Sequence, residues 1–294
     1  MPNPIIREYI GVKPSLKSLR DFPTEIINPK TSEFHFLVGF AIEQYDVNNR
    51  GTGVFKQNWN EDYFGPDEVK KLKEKYANVK VVISIGGCDV INAFNPANES
   101  TWPTEAEKSL KEIIQKYKGD SGNLIDGIDI NFEHIIDAIT DEQKRRFTNC
   151  IAPVIRGLRN DPSLRIKEVS ITPNQNTAAH YLNLYWGNQT IIDLVHYQFY
   201  KQSAVAPTPG DFKAHYDKVA REYSPAKVIP GISTIEPVGE KKMANQNFIA
   251  GCIELLQKDL LHGIFLWNAD ESAIPTSGQN KAFLLEHFMQ NLLT

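Results

Sequence analysis

A closed (β/α)8 barrel of the TIM-barrel class, forming one domain over residues 1–294, is the fold this sequence predicts. Two observations predict it. Apolar, β-prone runs alternate with amphipathic helical stretches eight times, and units of that size fill a chain of 294 residues. A third argues against the main rival, a doubly wound open sheet. That fold in its usual function carries a glycine-rich phosphate turn after an early strand, and no G-x-G-x-x-G follows Gly86-Gly87. There is no internal repeat and no low-complexity linker, so a single domain is the economical reading.

The elements follow in order. EYIGV (Glu8 to Val12) is a short first strand, and Ser15 to Phe22 a weak helix ended by Pro23. EFHFLVGFAIE (Glu33 to Glu43) is the second strand. Tyr45 to Phe64 is polar, glycine-bearing and aperiodic, which reads as a long loop with room for a hairpin. Pro66 opens a helix with Asp67 and Glu68 in its first turn, where acids favour the helix dipole. Val79 to Ile85 is a β-branched third strand closing on Gly86-Gly87. Thr104 with Glu107 three residues on reads as a capping box for a helix to Tyr117. After the fourth strand, Thr140 to Leu158 is a long amphipathic helix with Pro153 as a point of bending or interruption. Strands at Ile166 to Thr172, Asp193 to Tyr200, Lys227 to Ser233 and Gly263 to Trp267 alternate with helices at His180 to Trp186, Asp211 to Tyr223, Asn247 to Leu260 and Lys281 to Leu293.

The fourth strand, within LIDGIDINFEH (Leu124 to His134), carries the chemistry. Leu124, Ile125, Ile128 and Ile130 read as a buried parallel strand, yet Asp126, Asp129, Asn131 and Glu133 interrupt it. Side chains alternate on a strand, so Asp129, Asn131 and Glu133 share one face. Burying a carboxylate without partners costs several kcal/mol, roughly. Acids at a strand end can simply cap the next helix, but a cap needs one acid, not a spaced series. Sites on such barrels form at the C-terminal ends of the strands. That rule selects Glu43, Gly86, Gly87, Glu133, Asn174, Tyr200, Ser233 and Trp267. Acids beside aromatic rings suit a sugar, whose rings stack and whose hydroxyls bond carboxylates. For Trp267 and Tyr200 ordinary core packing is the competing reading.

Composition narrows the function classes. The chain is 41% hydrophobic, 23% charged and carries a net charge of -4, so nucleic acid and membrane partners are not expected. The three cysteines, Cys88, Cys150 and Cys252, are widely spaced, with no metal-ligand or disulfide-framework pattern. Free thiols, no metal and no cofactor are the expectation. The first residues lack the order of a signal peptide, which together with the cysteines points to the cytoplasm, or to secretion had a signal been removed. Asn98 to Ser100 and Asn188 to Thr190 are glycosylation sequons, usable only on secretion. No long exposed apolar stripe is visible, so a monomer is expected.

The frame Asp126, Asp129, Asn131, Glu133 resembles the signature Asp-x-x-Asp-x-Asp-x-Glu of glycoside hydrolase family 18, the chitinases, with asparagine in place of the third acid. Ser84-Ile85-Gly86-Gly87 resembles the family's Ser-x-Gly-Gly on the third strand. YQFYKQ (Tyr197 to Gln202) is similar to the sixth strand of plant class III chitinases, VQFYNN, and Trp267 matches their tryptophan ending the eighth. REYIGVKP, DFPTEIIN, VVISIGG, LIDGID and HYQF resemble a group of legume seed globulins of this fold without established chitinase activity, a relative of which associates with Rubisco.

The resemblance implies a plant chitinase-like protein whose ligand is a chitooligosaccharide, or which has no small-molecule ligand at all. It implies Glu133, Asp129, Asn131 and Tyr200 as the catalytic set and Trp267, Gly86, Gly87, Gln198 and Asp126 as the substrate-binding set. In this family the substrate's own acetamide is the nucleophile. Glu133 would protonate the glycosidic oxygen, and the residue at 131 would orient the acetamide and offset the positive charge that develops on it. Asparagine can hydrogen-bond but carries no charge. Losing one aimed electrostatic group costs on the order of 10²–10³ in rate. A degenerate, non-catalytic site is therefore the leading expectation, with storage or binding as its role, and a slow chitinase the alternative.

Overall fold

A computed structural model of the chain describes residues 4–13, 22–30, 33–119, 122–136, 139–201, 208–235, 243–274 and 281–293. The expected weak helix at Ser15 to Phe22 lies almost wholly outside them. The strands are β1 (Ile5–Ile10), β2 (Glu33–Tyr45), β3 (Gly51–Gln57), β4 (Val79–Gly87), β5 (Lys118–Gly119), β6 (Gly122–Asn123), β7 (Gly127–Phe132), β8 (Glu168–Ile171), β9 (Leu194–Tyr197), β10 (Val228–Ser233) and β11 (Gly263–Trp267). The helices are α1 (Glu61–Phe64), α2 (Pro66–Lys75), α3 (Trp102–Gln115), α4 (Asp141–Asn160), α5 (Ala178–Trp186), α6 (Pro209–Tyr223), α7 (Asn245–Leu256), α8 (Ala269–Ser272) and α9 (Leu284–Leu292). β1, β2, β4, β7, β8, β9, β10 and β11 pair in parallel in that order, and β11 returns to β1. The ring is closed, as expected.

Alternation of side chains produces two cores. Inside the ring, Tyr9, Leu37, Phe40, Val82, Tyr200, Ile229 and Phe265 pack together. Outside it, a larger shell joins the strands' other faces to the apolar stripes of the helices, with Phe94, Trp102, Phe132 and Phe147 in edge-to-face contact. Asp129, Asn131 and Glu133 face inward, while Ile128, Ile130 and Phe132 belong to the outer shell.

Four local expectations are refined. The stretch from Tyr45 to Phe64 holds the hairpin it had room for, β3 pairing antiparallel with β2, but it is less loop than expected, since α1 follows. Helix α3 starts at Trp102, not after Thr104, because Pro103 sits in the first turn, where a missing N–H is harmless. Helix α4 runs uninterrupted across Pro153. β9 is also shorter than expected: it stops at Tyr197, and a 3-10 turn, Phe199–Lys201, takes over. That turn sets the geometry described below.

Three buried carboxyls set a pH dependence. Burial raises Glu43 to about 7 against the opposing Gly53 amide and Trp102 indole, and raises Glu286 to about 7. Burial, then Glu286 and Asp270, push Glu8 well above its ordinary range. A carboxyl raised in the fold stabilises it below the unfolded value near 4.5, and that stability is lost as pH rises through about 7. Thermal melts should therefore fall in midpoint between about pH 5 and pH 8. Glu43→Gln keeps an acceptor for Trp102 and Gly53 and cannot ionise. It should flatten that slope by about 3 kcal/mol across the range. An unchanged slope in the variant would remove Glu43 from the account.

Candidate active site

Asp129 is the deepest polar group of the inward row, fully buried on β7. It accepts from Tyr9 Oη at 2.8 Å, Ser84 Oγ at 2.8 Å, Ser170 Oγ at 2.6 Å and Thr172 Oγ1 at 2.9 Å. Those donors come from β1, β4, β8 and the end of β8, so one carboxylate ties the ring together across its axis. His196 Nδ1 lies 3.4 Å away. Burial, then Arg7, pull the imidazole down to about 4, so it is neutral at neutral pH. Burial alone would push Asp129 up, but His196 and the Ser170 and Ser84 hydroxyls outweigh it and hold the carboxyl low.

Asn131 and Glu133 stand above it and are also buried. Gln198 reaches between them from just beyond β9: its Nε2 lies 3.4 Å from Asn131 Oδ1 and 3.2 Å from Glu133 Oε1. Asn131 Nδ2 finds no acceptor among the described residues. The other oxygen of Glu133, Oε2, is held by Lys201 Nζ in a short ion pair. The 3-10 turn after β9 makes this possible. It carries Tyr200 over the barrel axis and then delivers Lys201, whose side chain is 35% exposed, onto a carboxylate that is wholly buried. Burial outweighs the opposing Lys201 and Gln198, so the Glu133 carboxyl is raised above its ordinary value. Lys201 occupies Oε2, one of the two oxygens on which a general acid could carry its proton.

The aromatic wall forms as the strand-end rule implies. Tyr200 stacks on Trp267 at 6.5 Å between centroids, and Tyr9 lies 5.0 Å from Trp267. The Tyr200 hydroxyl is buried with no hydrogen-bond partner among the described residues, and it lies close enough to Glu133 for that charge to help raise it, after burial. Gly86 and Gly87 sit where β4 meets β7. At Gly86, with φ of 120°, a Cβ would come within 2.6 Å of Asn131 O, so glycine there lets the strand bearing Asn131 approach. Asn174 Nδ2 lies 3.3 Å from the Glu133 carbonyl.

Two predicted residues are elsewhere. Asp126 precedes β7 at the opposite end of the ring and accepts from Lys73 Nζ at 2.6 Å and Val81 N at 2.9 Å. It is three residues from Asp129, an odd number, so it cannot share the inward face. It is a structural anchor, not part of the mouth. Glu43 faces outward, bound to the Trp102 indole and to Gly53 N. The register of β2 against β4 shifts between Val38 and Ala41, and that slip reverses which residues point inward.

Lys201 was not picked from the sequence. The signal was present: in YQFYKQ it stands directly after Tyr200, where VQFYNN has an uncharged asparagine. Tyr9, His196 and Thr172 carried no such signal, because a hydroxyl or imidazole on a strand reads equally well as core. All three cysteines are free, Cys150 and Cys252 buried within α4 and α7. Among the described residues no helix is long and apolar enough to cross a membrane, and no group of His, Cys, Asp and Glu is placed to hold a metal ion.

Known proteins resemble this chain in sequence and fold. Chitinase 1 of Tulipa saxatilis subsp. bakeri is 31% identical over 98% of this chain and 87% of its own length. The RuBisCO-associated protein of Glycine max is 29% identical over 59% of this chain and 60% of its own. The catalytic domain of a family GH18 chitinase from the fern Peteris ryukyuensis superposes with a TM-score of 0.81 at 30% identity, covering 99% of both chains. The model of glycosyl hydrolases family 18 matches residues 24–236. With β7 bearing Asp129, Asn131 and Glu133 inside that matched region, the chain belongs to glycosyl hydrolase family 18.

Proposed function

We propose that this is a plant chitinase-like protein that does not hydrolyse chitin, narbonin-like in kind, with a storage role in the seed. The ion pair between Lys201 and Glu133 carries the proposal. A substrate-assisted glycosidase needs a protonated acid facing the glycosidic oxygen and a charged partner for the acetamide. Here an ammonium sits on the first, and the second is Asn131, which offers no charge. A storage role asks nothing of the mouth, which is consistent with filling it by a protein side chain. Three free thiols fit a reducing compartment for the same protein, and a monomer is the simplest state.

A slow chitinase is the second reading. It is favoured by Glu133, Asp129 and Tyr200 being assembled around one axis with the aromatic wall intact. Calorimetric titration with chitotetraose, followed by product analysis, separates the two. The expected result is no heat of binding and no shortened products. Binding without cleavage would replace the storage role by a lectin-like one, and turnover at rates ordinary for an enzyme would sink the non-hydrolytic proposal.

A further inference from the structure

Lys201 and Glu133 differ from every other lysine–carboxylate pair among the described residues. Elsewhere the carboxylate keeps contact with water, and the most enclosed of them, Asp126 beside Lys73, is still 12% exposed. Glu133 has no exposure at all, while its lysine is 35% exposed. Water solvates both charges of an exposed pair and favours the ammonium carboxylate form. Burial works against that form at Glu133, whose carboxyl stays raised even with Lys201 in place. A proton therefore passes from the ammonium to the carboxylate at less cost here than at an exposed pair. Gln198 Nε2, 3.2 Å from Oε1, holds the carboxylate so that Oε2 meets the amine. The 3-10 turn Phe199–Lys201 sets that amine at the C-terminal end of the ring, the end at which barrels of this class carry their chemistry.

We infer that Lys201 is a carbonyl-binding nucleophile that condenses with a small aldehyde to form an imine, with Glu133 moving the protons. Glu133 Oε2 takes a proton from the ammonium, which leaves a neutral amine beside a neutral carboxyl. The amine lone pair forms a C–N bond to the aldehyde carbon, and the carbonyl π pair passes to oxygen. A proton then shifts from nitrogen to that oxygen, giving a carbinolamine. Glu133 returns its proton to the hydroxyl, which leaves as water while the nitrogen lone pair closes the C=N bond. An ammonium and an aldehyde become an iminium and water, with no oxidant or reductant. The product is again a cation, so the buried carboxylate ends the sequence as it began, paired with a positive nitrogen. A lysine suits this role because its amine can lose the proton, which an arginine in the same place cannot. The aldehyde approaches by the exposed side of Lys201 and need not enter the buried row. The inference rests on the ion pair itself and not on whether the chain hydrolyses chitin.

Glycolaldehyde with sodium cyanoborohydride tests it, because the hydride reduces an iminium to a stable secondary amine. At limiting reagent, peptide mapping by mass spectrometry should find the hydroxyethyl group on Lys201 about tenfold or more ahead of the average of the other lysines, the proton transfers being supplied by a positioned carboxyl. A lysine merely locked in an ion pair should be labelled more slowly than exposed ones, so slow or uniform labelling of Lys201 would overturn the inference. Glu133→Gln removes the proton carrier and should slow labelling of Lys201 by about tenfold or more. An equal or faster rate in that variant would also overturn it. Lys201→Arg keeps a cation against Glu133 and should abolish the fast phase of incorporation while leaving the slow phase of the remaining lysines. The comparison among lysines in the native chain decides the first point even where a variant fails to fold. Chitotetraose plays no part in this readout, so its outcome is independent of the non-hydrolytic proposal.

Discussion

Lys201→Ala combined with Asn131→Asp should turn a chain inert toward chitotetraose into one that cleaves it, and neither change alone should do as much. The two substitutions answer two separate defects. Asparagine at 131 removes the charge that would offset the cationic intermediate, a loss on the order of 10²–10³ in rate. Restoring aspartate does not lift Lys201 off Glu133 Oε2, so Asn131→Asp alone leaves the acid occupied. Lys201→Ala frees that oxygen and removes the group that opposes the burial of Glu133, whose carboxyl then rises further and holds its proton. A second carboxylate at 131, reaching the same Gln198 as Glu133, pushes in the same direction. Breaking an ion pair costs about 3–5 kcal/mol where both partners are buried. Lys201 is a third exposed, so the cost here should be smaller and the variant should fold. Glu133→Gln added to the pair should abolish the gained activity, because Glu133 is the acid being released. Products of chitotetraose, separated and weighed by mass spectrometry, are the readout. If the double variant binds chitotetraose yet yields no shorter products, the Lys201 ion pair and Asn131 are not what silences the site.

Most of the barrel was legible because its strands are continuous apolar runs, and the inward row at Asp129, Asn131 and Glu133 was legible because strand parity is strict. The misplacements have particular causes. Asp126 entered the site list through a motif frame, although its odd spacing from Asp129 puts it on another face, before β7 begins. Glu43 obeyed parity counted from Leu37, but the slip between Val38 and Ala41 cancels the count, and a slip leaves no mark in composition. Lys201 was hidden by length. Read as a strand to Tyr200, the segment places Lys201 beyond the ring; as a 3-10 turn it brings Lys201 back over Glu133. Three residues read as strand or as turn thus decide whether Lys201 reaches Glu133, and local propensity does not settle it.

Asp129→Ala should be the most destabilising single change on the inward row, whatever happens to activity. The carboxylate is fully buried and accepts from Tyr9, Ser84, Ser170 and Thr172. Truncation leaves those hydroxyls facing a void in the ring. Tyr9 and Thr172 are 2.9 Å apart and can satisfy each other, but Ser84 and Ser170 approach from other strands. Removing a buried charge from its partners costs about 3–5 kcal/mol. Asp129→Asn keeps one acceptor and should cost less, about 1–2 kcal/mol. The pH dependence separates a charge effect from a packing effect. Asp129 is held below its ordinary 3.8, so its contribution is present above that value and is lost as pH falls through the lower, folded one. Urea unfolding should show the gap between the native chain and Asp129→Asn narrowing as pH is lowered beneath 3.8. The gap to Asp129→Ala should narrow by a similar amount and then persist, because the void does not titrate. An Asp129→Ala midpoint within about 1 kcal/mol of the native chain at neutral pH would mean that the hydroxyls close around water at little cost, and that Asp129 does not tie the ring together.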